Sequence, residues 1–217
     1  MRRAVTTSVI AVLAFTLIFG LAYPLAMTGI SQLVFPGKAD GSKITVDGKV
    51  VGSELIGQSF SRPLIGKDGK PKLDGEGEEI LVADPRYFQP RPSQSGYSAD
   101  TTFFSNLGPN SVEAREAVRE NLAAYVKLNK PYDKALIAAD VPVDAITMSG
   151  SGVDPEISEA NAAIQAHRIA AIRELPLDKV EELISDHTSG RFLGVFGEPG
   201  VNVLQLNIAL DQEAAAK

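Results

Sequence analysis

The sequence predicts an α+β fold, a soluble domain of mixed helices and strands behind one N-terminal transmembrane helix. Three observations carry this. No side chain from Ala4 to Gly37 is charged, and apolar positions beyond Gly37 recur at both helical and strand spacing without strict alternation. The 217 residues also suffice for one domain with an appendage but not for two large ones.

The anchor comes first. Val9 to Leu25 reads VIAVLAFTLIFGLAYPL, and a helix over about residues 7–30 meets the roughly 20 residues that a bilayer core demands. Arg2 and Arg3 with a short apolar run also fit a cleaved signal peptide. Against that reading, the uncharged run outlasts an h-region, and Ala22-Tyr23-Pro24 supplies no A-x-A site. Pro24 should bend the helix near its outer end. Arg2 and Arg3 outweigh the mixed Lys38, Asp40 and Lys43, so the N-terminus is expected in the cytoplasm and residues 37–217 outside it. Residues 1–36 are then the anchor, at a cell membrane.

Beyond Phe35-Pro36-Gly37, Asp47-Gly48 between Ile44–Val46 and Lys49–Val51 predicts a β-hairpin. Residues 66–79, GKDGKPKLDGEGEE, read as a solvated, mobile loop. A helix is predicted over Ser111–Leu128 with Asn110 and Glu113 at its cap, a strand over Val143–Met148, and a helix over Ser158–Leu175 closed by Pro176. Another helix follows over Leu177–His187. Leu204, Leu206, Ile208 and Leu210 alternate with more polar residues and predict a final strand. No internal repeat is evident.

Composition excludes several functions. The formal charge is 21 − 27 = −6, or −8 beyond Arg2 and Arg3, and no basic cluster offers a footprint for nucleic acid. The absence of cysteine removes thiolate chemistry and Cys-type metal sites, and two histidines are too few for a His-rich metal site. No G-x-x-x-x-G-K-[ST] or G-x-G-x-x-G loop is present. Ser149, Gly150, Ser151 and Gly152 form the nearest candidate anion loop, with a glycine-permitted turn capped by Asp154 and Ser158 as the alternative. Asp186 and His187 are sequence neighbours that diverge by about 100° on a helix, so they make a poor base–orienter pair. His167 shares a helical face with Ile164 and Ala163 and reads as a core-edge or interface residue. The residues alone therefore describe a membrane-tethered, non-catalytic, acidic domain.

Several strings in order resemble the C subunit of the Kdp potassium-transporting P-type ATPase. They are Tyr23-Pro24 in the anchor, Gly52 to Phe60, Tyr87-Phe88 with Arg91-Pro92-Ser93, and Ser105 to Pro109. Ser149 to Asp154, Gln165 with Arg168-Ile169-Ala170, His187-Thr188, Gly197 to Leu204 and Leu206 to Asp211 complete the set. The resemblance implies a non-catalytic accessory subunit of an ATP-driven, high-affinity potassium uptake complex. Its implied partners are a channel-like potassium-translocating subunit, the ATP-hydrolysing P-type subunit, a small single-span subunit and membrane lipid. No D-K-T-G string supplies a phosphorylated aspartate here. The family subunit is described as a catalytic chaperone for ATP binding, and the glutamine proposed to contact nucleotide falls on Gln165 of Ala162-Ala163-Ile164-Gln165. An extracytoplasmic domain collides with that role, because ATP is scarce there. Residues 61–86 exceed the family's usual spacing and read as an insertion, and Thr102-Phe103-Phe104 replaces a polar S-G-G. The alternative function is a membrane-anchored extracytoplasmic ligand-binding or sensor domain.

Overall fold

Arg2 to Val34 is one continuous helical rod, built from α1 (Arg2–Phe15), a π-helical turn (Thr16–Ala22) and α2 (Tyr23–Val34). At 1.5 Å per residue its 33 residues exceed the bilayer core and the predicted 7–30 span. It is the one helix among the described residues long and apolar enough to cross a membrane. The computed structural model describes residues 2–98 and 100–215, except the side chain of Ala215. Pro24 acts upstream of its own position. Lacking an N–H, it cannot continue the i→i−4 ladder, and the preceding turn widens so that the Tyr23 N–H donates to Ile18 O.

The chain divides into two compact units, Met1–Ser53 and Glu54–Lys217. In the first, α3 (Pro36–Ala39) leads to the hairpin of β1 (Lys43–Val46) and β2 (Lys49–Ser53), so the hairpin groups with the membrane helix rather than with the domain from residue 37. Asp47 and Gly48 have φ of 49° and 76°, as the tight turn between twisted strands requires. A bulge at Ile44/Thr45 shifts the register, and Ser53 Oγ donates to Gly41 O at 2.7 Å, closing the hairpin at its base.

The second unit begins with a feature that the loop reading missed. Leu64 N donates to Ile80 O, Ile80 N to Lys72 O and Lys72 N to Leu64 O, each at 2.8 Å. Three residues spaced eight apart thus close a ring of backbone hydrogen bonds. From it radiate β3 (Ser61–Pro63) paired with β4 (Leu81–Ala83), and two further hairpins bridged at Ile65–Pro71 and Leu73–Glu79. Gly69 and Gly77, eight apart and both at positive φ, make the two tight turns. A weak eight-residue period therefore exists, written in the turn residues Gly69 and Gly77 and in the apolar residues Ile65, Leu73 and Leu81.

The core lies around α5 (Glu159–Arg173). The helix α4 (Val112–Asn129), with Ser111 rather than Asn110 at its cap, packs on α5 through Tyr125. Helix α6 (Leu177–Asp186) packs against α5 and against α7 (Val203–Ala215). A short antiparallel sheet of β5 (Glu156–Ile157), β6 (Thr188–Ser189) and β7 (Gly200–Asn202), in the order β5-β7-β6, closes this core. Phe88, Ile157, Ile169, Val180, Val201, Leu206 and Leu210 are its buried centre. Helix α5 stops at Arg173, with Glu174 left-handed at φ 54°, before Pro176 is reached.

Two strand expectations fail for identifiable reasons. Val143 to Ala145 is a 3-10 turn, in which Thr147 Oγ1 caps Val143 O at 2.8 Å and Asp144 turns toward Ser158. Residues 204–211 are helical in α7. Val203, Leu206, Asn207 and Leu210 form its buried face at i, i+3, i+4 and i+7, so the alternation of leucines is a coincidence of two periods.

Candidate functional site

Helix α5 starts at Ser158, whose Oγ accepts from Asn161 N at 3.1 Å and donates to Asp144 Oδ1 at 2.8 Å. This fixes the helix so that Asn161, Gln165 and Arg168 share one inward face. Gln165 is 1% exposed. Its Oε1 accepts from Gln89 N and Arg168 Nη2, both at 2.7 Å, while Nε2 donates to Gln89 O at 3.0 Å and Asn161 Oδ1 at 2.9 Å. Both lone pairs and both amide protons are engaged within the chain.

Arg168 is completely buried and faces dipoles rather than a carboxylate. Nε donates to Asn129 Oδ1 at 3.0 Å, and Nη1 to Pro85 O at 2.6 Å and Tyr87 O at 3.0 Å. Burial pulls its pKa down to about 10, which leaves it cationic at neutral pH. Burial likewise pushes the Tyr125 phenol up, and its O–H donates to Asn161 Oδ1 at 2.8 Å. The extended segment 85–89 carries almost no regular structure. It is held by Gln165 and Arg168 on one side and by Asn207, which accepts from Phe88 N at 2.9 Å and donates to Phe88 O at 3.0 Å.

The 149–152 loop is similarly self-contained. Ser149 N donates to Pro92 O at 2.8 Å, while Gly152 N and Val153 N donate to Ser149 Oγ and Ser151 Oγ, both at 3.2 Å. Gly152 sits at φ 75°, and a Cβ there would lie 2.7 Å from Phe103 O. Asp154 pairs with Arg91 at 3.0 Å and accepts from Glu156 N, consistent with a capped turn. Asp84 is nearly buried beside Arg86, whose hydrogen bonds hold its carboxyl below the usual range. His167 is exposed, and His187, which follows α6, has its Nδ1 2.8 Å from Leu183 O in the last turn of that helix. An open cleft of about 250 Å³ is lined by Ser59, Phe60, Asp84, Tyr87, Asn207 and Asp211. Arg173 covers the Tyr87 ring at 4.7 Å and pairs with Asp211 at 2.8 Å.

The family resemblance pointed to Gln165, while Gln89, Asn129, Asn161 and Asn207 around it were missed. Amide side chains are polar, and a periodicity search assigns them to the wet face by default.

The family model for the K+-transporting ATPase c chain, KdpC, matches residues 5–212. The chain belongs to the KdpC family. A potassium-transporting ATPase KdpC subunit from Streptomyces coelicolor is 43% identical over 216 residues, covering 96% of this chain and 92% of its own. The one from Mycobacterium bovis is 43% identical over 215 residues, covering 98% and 100%. That of Beijerinckia indica is 42% identical over 213 residues, covering 97% and 94%. Membership makes the chain a subunit of a multi-subunit potassium-transporting ATPase. The strings at 87–93, 165–170 and 206–211 thereby gain a common meaning, since Phe88, Gln89, Gln165, Arg168 and Asn207 belong to the same polar framework, while 149–154 is tied to 87–93 separately through Arg91 and Asp154.

Proposed function

We propose that this chain is the non-catalytic accessory subunit of the potassium-uptake complex, anchored in the cell membrane with its acidic domain outside the cytoplasm. The domain assembles there with the channel-like potassium-translocating subunit, and through it with the ATP-hydrolysing subunit and the small single-span subunit. The observation that carries this reading is the framework around α5. The glutamine that a nucleotide-contacting role would need spends two hydrogen-bonding positions on the Gln89 backbone and the other two on Asn161 and Arg168 of its own helix, so it holds residues 85–89 against α5 with none left over. Gln165 is in this proposal a strut, and no ATP reaches it. The Ser149–Gly152 loop is likewise a structural turn. The −8 carried beyond Arg3 raises the local concentration of cations modestly, screened beyond ~8–10 Å.

The test uses the absence of cysteine. Ala163, exposed on α5, is replaced in Ala163→Cys and treated with a membrane-impermeant maleimide in intact, uptake-competent cells. Labelling before lysis is the expected result. Labelling only after lysis would put the domain in the cytoplasm and restore ATP binding as the leading role.

A further inference from the structure

The hairpin joining β6 to β7 carries, at its tip, the sequence Phe192-Leu193-Gly194-Val195-Phe196-Gly197 between Arg191 and Glu198. Phe192, Leu193, Val195 and Phe196 are 64–76% exposed. Their backbone is nevertheless tightly organised. Phe192 N donates to Phe196 O at 2.8 Å and Phe196 N to Phe192 O at 2.9 Å, with Gly194 N and Val195 N bonded to Arg191 O and Phe192 O. Leu193 holds φ 52°, a conformation that residues other than glycine rarely adopt, and the turn thereby presents a leucine outward. Four contiguous large apolar side chains on a rigid turn form the kind of patch that a soluble surface avoids unless something covers it.

We infer that residues 192–196 insert into the lipid interface as a second membrane contact of this chain. Two observations favour lipid. The first is reach. Gly41 follows the end of α2 at Val34 by seven residues, which span at most about 25 Å. Ser53 is hydrogen-bonded back to that same Gly41, and Glu54, the next residue, opens the second unit. Asn202 Nδ2, at the root of the tip hairpin, donates to Glu54 O at 2.9 Å. The tether thus enters the domain beside the root of this hairpin, and a short tether gives a high effective concentration of tip at the bilayer surface. The second is chemistry. Between Arg191 and Glu198 no side chain can hydrogen-bond, whereas a protein interface carries about one hydrogen bond per 100–200 Å². The internally satisfied N–H groups bring few unpaired donors into hydrocarbon, and the 2.6 Å pair of Arg191 with Glu198 leaves no net charge at the rim.

This inference rests on the membrane anchoring proposed above, and the test separates the two. The cysteine-free full chain receives a single nitroxide label at Phe192→Cys or, as a second variant, Phe196→Cys. Companion labels sit in the helix at Phe19→Cys and at the exposed Val143→Cys. In phosphatidylcholine/phosphatidylglycerol vesicles, collision with lipid-soluble oxygen is compared with collision with a water-soluble nickel chelate. The measurement is then repeated in the assembled complex. Insertion predicts an oxygen-to-nickel ratio at 192 and 196 severalfold above that at 143, and shared in direction with position 19. A tip that resembles position 143, or one shielded from both reagents only in the complex, overturns lipid insertion, the second result giving the tip to a protein partner. A low ratio at position 19 would overturn the anchor itself and the tip inference with it.

Discussion

The centre of α5 and the tip of the β6–β7 hairpin invert the usual distribution of polarity. At the centre, Asn161, Gln165, Arg168 and Asn207 are buried, and their hydrogen bonds are met within the chain. At the tip, two phenylalanines, a leucine and a valine face outward, most of their surface uncovered by the described residues. A satisfied polar interior specifies one arrangement of an irregular segment, because any slip would orphan several buried groups at once. An unsatisfied apolar exterior specifies an encounter. The difference suggests that the interior builds the shape and the exterior does the work of attachment.

Breaking the interior should produce the largest effects. Arg168→Met orphans Pro85 O and Asn129 Oδ1, leaves Tyr87 O and Gln165 Oε1 with only the Gln89 donors, and should cost ~3–5 kcal/mol, read as a lower urea midpoint by circular dichroism in detergent. Arg168→Lys should recover little of it, since one ammonium cannot reproduce the guanidinium fork. Gly152→Ala comes next, at about 2–3 kcal/mol, because its Cβ would meet the Phe103 carbonyl at an unfavourable φ.

A smaller effect depends on pH. The folded-state pKa of Asp84 is depressed by its bonds to Arg86, so its contribution is present above the ordinary carboxyl value near 3.8 and is lost as pH falls through the lower folded value. Arg86 is largely exposed, which limits the contribution to about 1 kcal/mol. Asp84→Asn should therefore narrow the stability gap between pH 6 and pH 3 by about that amount, measured by urea titration at each pH.

The exterior should respond in the opposite way. Phe192→Ser with Phe196→Ser should leave the urea midpoint within about 0.5 kcal/mol of the parent, since both side chains are already exposed. Deleting Gly66 to Glu79 should have the least effect on assembly. It removes Lys72 and opens the backbone ring, yet the β3–β4 pairing remains, and co-purification of the partner subunits should persist.

The parts of this molecule legible in the sequence are those written in local chemistry. Asp47-Gly48 announced its hairpin because few residue pairs tolerate two positive φ values, and the uncharged run announced its helix because hydrocarbon tolerates so little else. Helix α7 was misread because its leucines satisfy period two while the residue completing its helical face, Asn207, is polar. The ring at Leu64, Lys72 and Ile80 went unread because its apolar positions Ile65, Leu73 and Leu81 recur every eight residues, a period that belongs to neither helix nor strand. The candidate site was half legible: Gln165 stood out only through the family motif, while the framework around it joins residues 76 apart at Gln89 and Gln165 and 119 apart at Phe88 and Asn207. The tip was visible as an uncharged FLGVFG run, yet exposure is a property of the fold.

The most direct test of the interior as scaffold is the ATP dependence of the assembled complex carrying Gln165→Met. Activity is normalised to the amount of intact complex and set beside the urea midpoint of the variant chain. The expected result is a lowered midpoint with an unchanged KM for ATP. A raised KM with the midpoint intact would contradict it and make Gln165 a nucleotide contact.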